Sequence, residues 1–289
     1  VKRIGVIANC TKERSADVLS RLARDAAELG LDLFADGPAA TLLGRPSAPR
    51  AEMLARSEAV IALGGDGTVL RAVRELGGSD IPVMGVNIGG LGFLTSVAEE
   101  SLRKGLGCLA ADDYEIAACA AAECRVERGG ETIVECRALN DVVVTRGASN
   151  RVLTLEVTVD GEWVTSYMCD GIIVATPAGS TGHSLSAGGP ILTPEASVFV
   201  ISVICPHTLS SRPLVVPDRS RIEIVGVGDR GELMLAVDGQ TSEPLRHGDR
   251  VCVTRSARDV RFVRLPGHSY FAVLRHKLGW SGSSAPRPR

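Results

Sequence analysis

Aromatic side chains are scarce in this chain: two Trp, three Tyr and five Phe among 289 residues. An aromatic inside a site motif therefore carries weight. An excess of charge of either sign is also missing. The formal net charge is −2, which argues against a protein that coats nucleic acid. It leaves room for phosphate ligands, which are met locally by Arg and by backbone N–H groups. No Cys-x-x-Cys pair occurs, so a zinc site has no ligand spacing to rest on. The eight cysteines do not read as a disulfide framework either. Cys119, Cys124, Cys136, Cys205 and Cys252 sit in strand-like apolar runs, as buried thiols of a cytoplasmic protein do. Long hydrophobic runs are absent: residues 198–204 form one of the longest, too short to span a bilayer. Residues 1–8 read as a first buried strand and not as a signal peptide. No internal repeat is visible.

What is present falls into two halves. Over the first hundred residues apolar strands alternate with helical spacing. Residues 4–8, 59–63 and 82–86 are continuous apolar runs, with a further short strand at 31–34. Such runs suit strands covered on both faces. Residues 15–29 and 68–76 have helical periodicity and stop at Gly30 and at Gly77-Gly78. The alternation predicts a parallel sheet flanked by helices. Residues 37–49, rich in Pro and small side chains, read as a mobile surface loop. From about residue 113 strand runs dominate, separated by turns such as Asp160-Gly161 and Asp238-Gly239. That pattern predicts an all-β layered domain. Residues 270–278 return to helical spacing. The expected architecture is an α/β N-terminal domain with a Rossmann-like parallel sheet over 1–99, followed by a β-rich domain over 100–265. Residues 266–289 pack back on the first domain, and the Ser-, Pro- and Arg-rich tail after Trp280 is expected to be disordered.

Four segments carry chemistry. The first is Gly64-Gly65-Asp66-Gly67-Thr68, placed between a buried strand and a helix. In an open α/β sheet that junction is the ligand crevice. Its glycines allow close backbone approach, and the helix start favours anions. No Gly-Lys-Ser/Thr follows, so this is not a Walker A loop. Asp66 would repel phosphate. It is either a turn residue bonding its own backbone or an acceptor for a hydroxyl or a metal contact. The second segment, residues 87–94, has three glycines in eight residues. Its Phe93 is either a wall of a nucleotide pocket or part of the core. The third, residues 176–190, gathers Thr176, Ser180, Thr181, Ser184 and Ser186 with four glycines and His183. Many N–H and O–H donors in so short a span suit sugar hydroxyls, phosphates or a base edge. The fourth is Asn140-Asp141, either an ordinary turn or an amide–carboxylate grip on a vicinal diol.

In this order and spacing the four segments resemble the NAD kinase family, and the likeness runs from Ile4 to the last helix. The GGDGT loop alone is less specific, since lipid kinases and 6-phosphofructokinases carry similar ones. The resemblance implies that Asp66 is the catalytic aspartate and that Gly67 and Phe93 lie near the adenosine. It implies that Asn140 and Asp141 bind ribose and base groups, and that Thr181 and Ser186 contact the dinucleotide. It places Asp170 near a neighbouring subunit's ligand, and Gln240 in a further active-site turn. Gly64, Gly65 and Thr68 would cradle the donor phosphates. The family form Thr-Pro-Thr-Gly-Ser-Thr-Ala-Tyr differs here, with Ala178 for the second Thr and Gly182-His183 for Ala-Tyr. His183 therefore stands where the family has a stacking Tyr, and it adds a protonatable nitrogen. The implied reaction moves a phosphoryl group from ATP or polyphosphate to the 2′-hydroxyl of the adenosine ribose of NAD. Mg²⁺ would arrive with ATP, since no carboxylate cage is evident and no protein metal site is expected. The expected assembly is a homodimer or homotetramer in the cytoplasm, with neither nucleic acid nor membrane as partner. A lipid or sugar kinase sharing only the GGDGT loop, and a non-catalytic NAD sensor, are the alternatives.

Overall fold

The computed structural model of the chain describes residues 1–90, 92–147, 151–228 and 231–280. Leu91 and the tail after Trp280, including the expected disorder there, lie outside the described residues. The chain divides into two compact units. The first holds Val1–Ala72, Ile81–Ala117 and the residues from Arg261 on; the second holds Val73–Asp80 and Ala118–Val260.

The first unit is built on β1 (Arg3–Ala8), α1 (Ser15–Glu28), β2 (Asp32–Ala35), α2 (Gly37–Leu42), α3 (Arg50–Arg56), β3 (Ala59–Gly64), α4 (Asp66–Leu76), β4 (Val83–Asn87), β5 (Val97–Ala98), α5 (Leu102–Ala110) and β6 (Glu115–Cys119). Strands β3 and β4 are buried along their whole length, which explains their unbroken apolar runs. In α1, Val18, Leu19, Leu22 and Ala26 form the buried stripe, the spacing a helix needs to seat one face on a sheet. The described strands of this sheet run β2-β1-β3-β4 and onward, with parallel pairing of β1 to both β2 and β3. The chain thus moves one way from β1 to β2 and the other way to β3. The carboxyl ends of β1 and β3 flank the resulting switch point, where open α/β sheets take their ligands.

The second unit contains β7 (Ala122–Arg128), β8 (Glu131–Ala138), β9 (Asp141–Arg146), β10 (Leu153–Val159), β11 (Glu162–Cys169), β12 (Gly171–Ala175), α6 (His183–Ser186), β13 (Val198–Ile204), β14 (Leu214–Pro217), β15 (Ile222–Val227), β16 (Leu233–Val237), β17 (Thr241–Leu245) and β18 (Arg250–Arg255). Its described strands form two antiparallel sheets, β11-β10-β15-β18-β7-β8 and β14-β13-β12-β9-β16-β17. One core joins them: Val126, Leu155 and Ile224 of one sheet with Val144, Ile172, Phe199 and Leu235 of the other. Alternate residues point inward, as a sandwich requires. Strand β12 is buried on both faces, because Val143, Ile173, Ala175 and Val200 make a second cluster with Ala187 and Leu192 beyond it.

The chain then re-enters the first unit as β19 (Val260–Arg264) and α7 (Tyr270–Lys277). The helix was expected, and Ser269 caps it by accepting the Ala272 N–H at 3.3 Å. The strand was not: β19 pairs in parallel with β4. Two other readings need correction. Residues 37–49 are not a mobile loop. Asp36 takes both Nε and Nη2 of Arg50, at 2.7 and 2.6 Å, Ala35 bridges to Ser47, and α2 buries Ala39 and Ala40. That clamp and the buried alanines outweigh the weak helix propensity of a Gly-Pro start. Cys205 is exposed and lies just past β13. All eight cysteines are free thiols.

Candidate active site

In the first unit the two glycine loops are joined through Asp66. Strand β3 delivers Gly64 and α4 begins at Asp66 itself. The Asp66 carboxylate does not bond its own backbone. Oδ2 accepts the Phe93 N–H at 2.9 Å and Oδ1 accepts the Leu94 N–H at 3.0 Å. A Cβ on Gly92 would lie 2.0 Å from Asp66 Oδ1, so the clasp requires glycine there. Thr95 supports the same loop from below. Its Oγ1 accepts from the Gly92 N–H at 2.9 Å and from Asn87 Nδ2 at 3.2 Å, with Thr95 and Asn87 only 1% and 5% exposed. A carboxylate offers about four acceptor positions, so each Asp66 oxygen keeps capacity for a hydroxyl. Gly65 and Phe93 are half-buried and Gly67 is exposed, while Thr68 is buried. The structure therefore brings Gly64, Gly65, Asp66, Gly67, Thr68 and Phe93 into one cluster.

In the second unit the organising residue is Asp238, in the turn between β16 and β17. It adopts φ 52°. Its Oδ2 accepts the Leu139 N–H at 2.9 Å, and its Oδ1 accepts those of Asn140 and Asp141 at 2.7 and 3.1 Å. The sequence marked this position as a turn, and the family resemblance as part of an active-site turn; three consecutive amides aimed at one carboxylate are a tertiary feature. The Thr176–Gly179 stretch lies on the same spot. The Thr176 N–H donates to Asn140 O at 2.9 Å and its hydroxyl to Leu139 O. The side-chain oxygen of Asn140 is buried and has no hydrogen-bond partner among the described residues. Leaving such an acceptor unmet costs about 1–3 kcal/mol, so it suits a ligand N–H or O–H. Gln240 is half-buried in the same turn as Asp238.

The hydroxyl-rich segment divides its work. Ser180 Oγ donates to Pro177 O at 2.7 Å and accepts the Leu192 N–H at 3.0 Å, and Ser184 meets Ser202 at 2.9 Å. Those side chains, with Thr176, hold the segment in shape. Thr181 is half-buried, and His183 and Ser186 are exposed on α6. Asp170 pairs with Arg146 of its own chain at 3.3 Å. Among the described residues no group of three or more His, Cys, Asp or Glu is placed to hold a metal ion.

Asp141 is 6% exposed. Burial first, and the neighbouring Asp238 charge second, push its carboxyl up to about 7. Burial also raises Asp238, against the three amides and Arg137 that favour its charge. For Asp141 the native state holds a proton the unfolded chain releases near pH 4. Its stabilising contribution is complete below that value and is lost as pH rises through about 7. Asp141→Asn keeps the neutral shape without the titration. The variant should match wild type only as pH falls below about 4, and should melt about 3–6 °C higher at pH 8. Parallel melting profiles from pH 5 to 8, measured by calorimetry, would refute this.

The family model described as the ATP-NAD kinase N-terminal domain matches residues 4–114, and that of the ATP-NAD kinase C-terminal domain matches residues 139–265. An NAD kinase of Moorella thermoacetica is 39% identical over 284 residues, covering 98% of this chain and 91% of the relative. One of Gemmatimonas aurantiaca is 44% identical over 230 residues, covering 78% and 79%. Among solved structures, yeast NADH kinase complexed with NADH superposes with a TM-score of 0.91 at 24% identity, over 100% of this chain and 90% of that one. An NAD kinase from Archaeoglobus fulgidus in complex with ATP gives 0.77 at 24% identity, over 96% and 100%. Both likenesses bear on the fold, and the relatives and the two domain matches bear on the family: the chain belongs to the NAD kinases.

Proposed function

We propose that the chain makes NADP by moving the γ-phosphoryl group of ATP to the 2′-hydroxyl of the adenosine ribose of NAD, with Asp66 as general base. Near-full-length similarity to NAD kinases carries the reaction. Asp66 supplies the chemical group, a carboxylate fixed by two amides with acceptor positions to spare. In the step, the ribose oxygen forms a bond to the γ-phosphorus, the bond to the β–γ bridging oxygen breaks, and ADP leaves. The hydroxyl proton passes to Asp66. Phosphoryl transfer asks the protein mainly for positioning and charge stabilisation. The α/β part, 1–99 with 266–289, works on the donor and the base. The β-rich part, 100–265, holds NAD through Asn140, Asp141, Thr181, Ser186 and Gln240, with His183 against a base face; in the α/β part, Gly67 and Phe93 serve the adenosine.

Magnesium enters as part of the MgATP substrate, held by its phosphates. The active species in this reading is a cytoplasmic homodimer or homotetramer with Asp170 near a subunit boundary. No helix among the described residues is long and apolar enough to cross a membrane. The test is a coupled assay in which an NADP-specific dehydrogenase reports product from NAD with MgATP or with polyphosphate. NADP formation with ATP is the expected result. No NADP with either donor, together with phosphorylation of a lipid or a sugar, would overturn it.

A further inference from the structure

Lys12 lies in the loop between β1 and α1, at the switch point of the parallel sheet. Its ammonium reaches across to the ends of two other strands. It donates to Gly64 O at 3.0 Å, where β3 ends, and to Ile88 O at 2.7 Å, just past β4. We infer that Lys12 is a further substrate-binding residue, gripping the polyphosphate chain of the donor.

Three observations carry this. First, the ammonium is not needed to satisfy the Gly64 carbonyl, which already accepts the Ile88 N–H at 2.9 Å. Second, both bonds go to neutral carbonyls, and none of the ion pairs found among the described residues includes Lys12. The nearby Asp66 carboxylate is turned to the amides of Phe93 and Leu94. A half-buried cation with only carbonyl partners is best balanced by an anion that comes and goes. Third, the space beside it is open. Lys12 Nζ lies 3.8 Å from where a Cβ of Gly65 would stand, and apart from the chain neighbours Gly64 and Asp66 no other residue comes within 4 Å of that point. Gly65 thus leaves room for a phosphate beside both the ammonium and the start of α4, where backbone N–H groups favour anions. An ammonium has three donors, so one remains after the two carbonyls. Arg71 brings a second cation to the end of β1, donating to Ala8 O at 2.8 Å.

The rival is a purely structural tie between the ends of β3 and β4. Lys12→Met and Lys12→Arg separate the two. Binding of inorganic tripolyphosphate should be followed by calorimetry without NAD, and steady-state kinetics and melting temperature on the same preparations. For Lys12→Met we expect tripolyphosphate affinity to fall and KM for ATP to rise, each about 10- to 100-fold. KM for NAD should stay within about twofold, and Lys12→Arg should recover most of the loss because it keeps the charge. If Lys12→Met does not fold, Lys12→Gln keeps a donor for the carbonyls without the charge and carries the same expectation. A lowered melting temperature with unchanged tripolyphosphate binding and unchanged KM for ATP would overturn the inference. It rests on the ATP-dependent kinase reading, yet fails separately. Tripolyphosphate binding that depends on Lys12 without any NADP formation would sink the kinase reading alone. Normal NADP formation by Lys12→Met at the wild-type KM for ATP would sink the Lys12 inference alone.

Discussion

Asp66→Asn should lower kcat by about 10²- to 10⁴-fold, the usual range for loss of a general base. The substitution keeps the size of the side chain but not its chemistry. An amide oxygen can accept one of the two N–H groups of Phe93 and Leu94 that now reach separate carboxylate oxygens. The amide nitrogen would face the other, donor against donor. The loop should loosen, and the melting temperature should fall along with kcat, so a fall in activity alone does not separate base from clasp. Thr95→Val supplies the comparison. It removes the acceptor for the Gly92 N–H and for Asn87 Nδ2 while leaving the carboxylate intact. Two buried donors left unmet cost about 1–3 kcal/mol each, so this loop should loosen at least as much. If Asp66 is the base, Thr95→Val should lose less than about tenfold in kcat while Asp66→Asn loses about 10²-fold or more. Equal losses at equal melting temperatures would reduce Asp66 to a residue that only positions the Phe93 loop.

Gly179→Ala is the second large effect expected. A Cβ there would stand 2.0 Å from Asn140 O, 2.5 Å from its carbonyl carbon and 2.7 Å from its Cα. All three are backbone atoms, and none can rotate aside. The segment bearing Thr181, His183 and Ser186 would have to lift from Asn140 by on the order of 1 Å, a displacement that can cost about 10²-fold in a positioned reaction. The loss should appear in kcat/KM for NAD, with KM for ATP little changed. Gly182→Ala is the control. Its Cβ would meet Gly179 O at 3.4 Å, an ordinary contact, so activity should stay within about threefold of wild type. A fully active Gly179→Ala enzyme would show that contact between this segment and Asn140 has no part in holding NAD.

Much of this was legible from residue order. The apolar runs ending at Ala8, Leu63 and Val86 each announced a strand covered on both faces, because such a strand has no polar side to display. The glycines at 64, 65 and 67 announced close backbone approach, and the turn signals after residue 113 announced an all-β layered domain. The resemblance to NAD kinases rested on those same segments. Residues 37–49 were misjudged because their order is enforced from outside, by Arg50 on Asp36 and by the burial of Ala39 and Ala40. Strand β19 was missed because nothing within five residues says that the partner is β4, far back in the chain.

The sequence by itself determined where most strands and the longer helices lie, which loops need glycine, and which hydroxyl-rich segment is too specialised for a linker. These depend on neighbours along the chain, through side-chain period and backbone freedom. Only the tertiary structure decided what the polar groups do. Asp66 turned out to hold the Phe93 loop, Asp238 to collect the amides of Leu139, Asn140 and Asp141, and Lys12 to span the ends of β3 and β4. Sheet pairing sets these partnerships: it brings together strand ends that lie dozens of residues apart, and a hydrogen bond recognises distance and direction in space, not position along the chain.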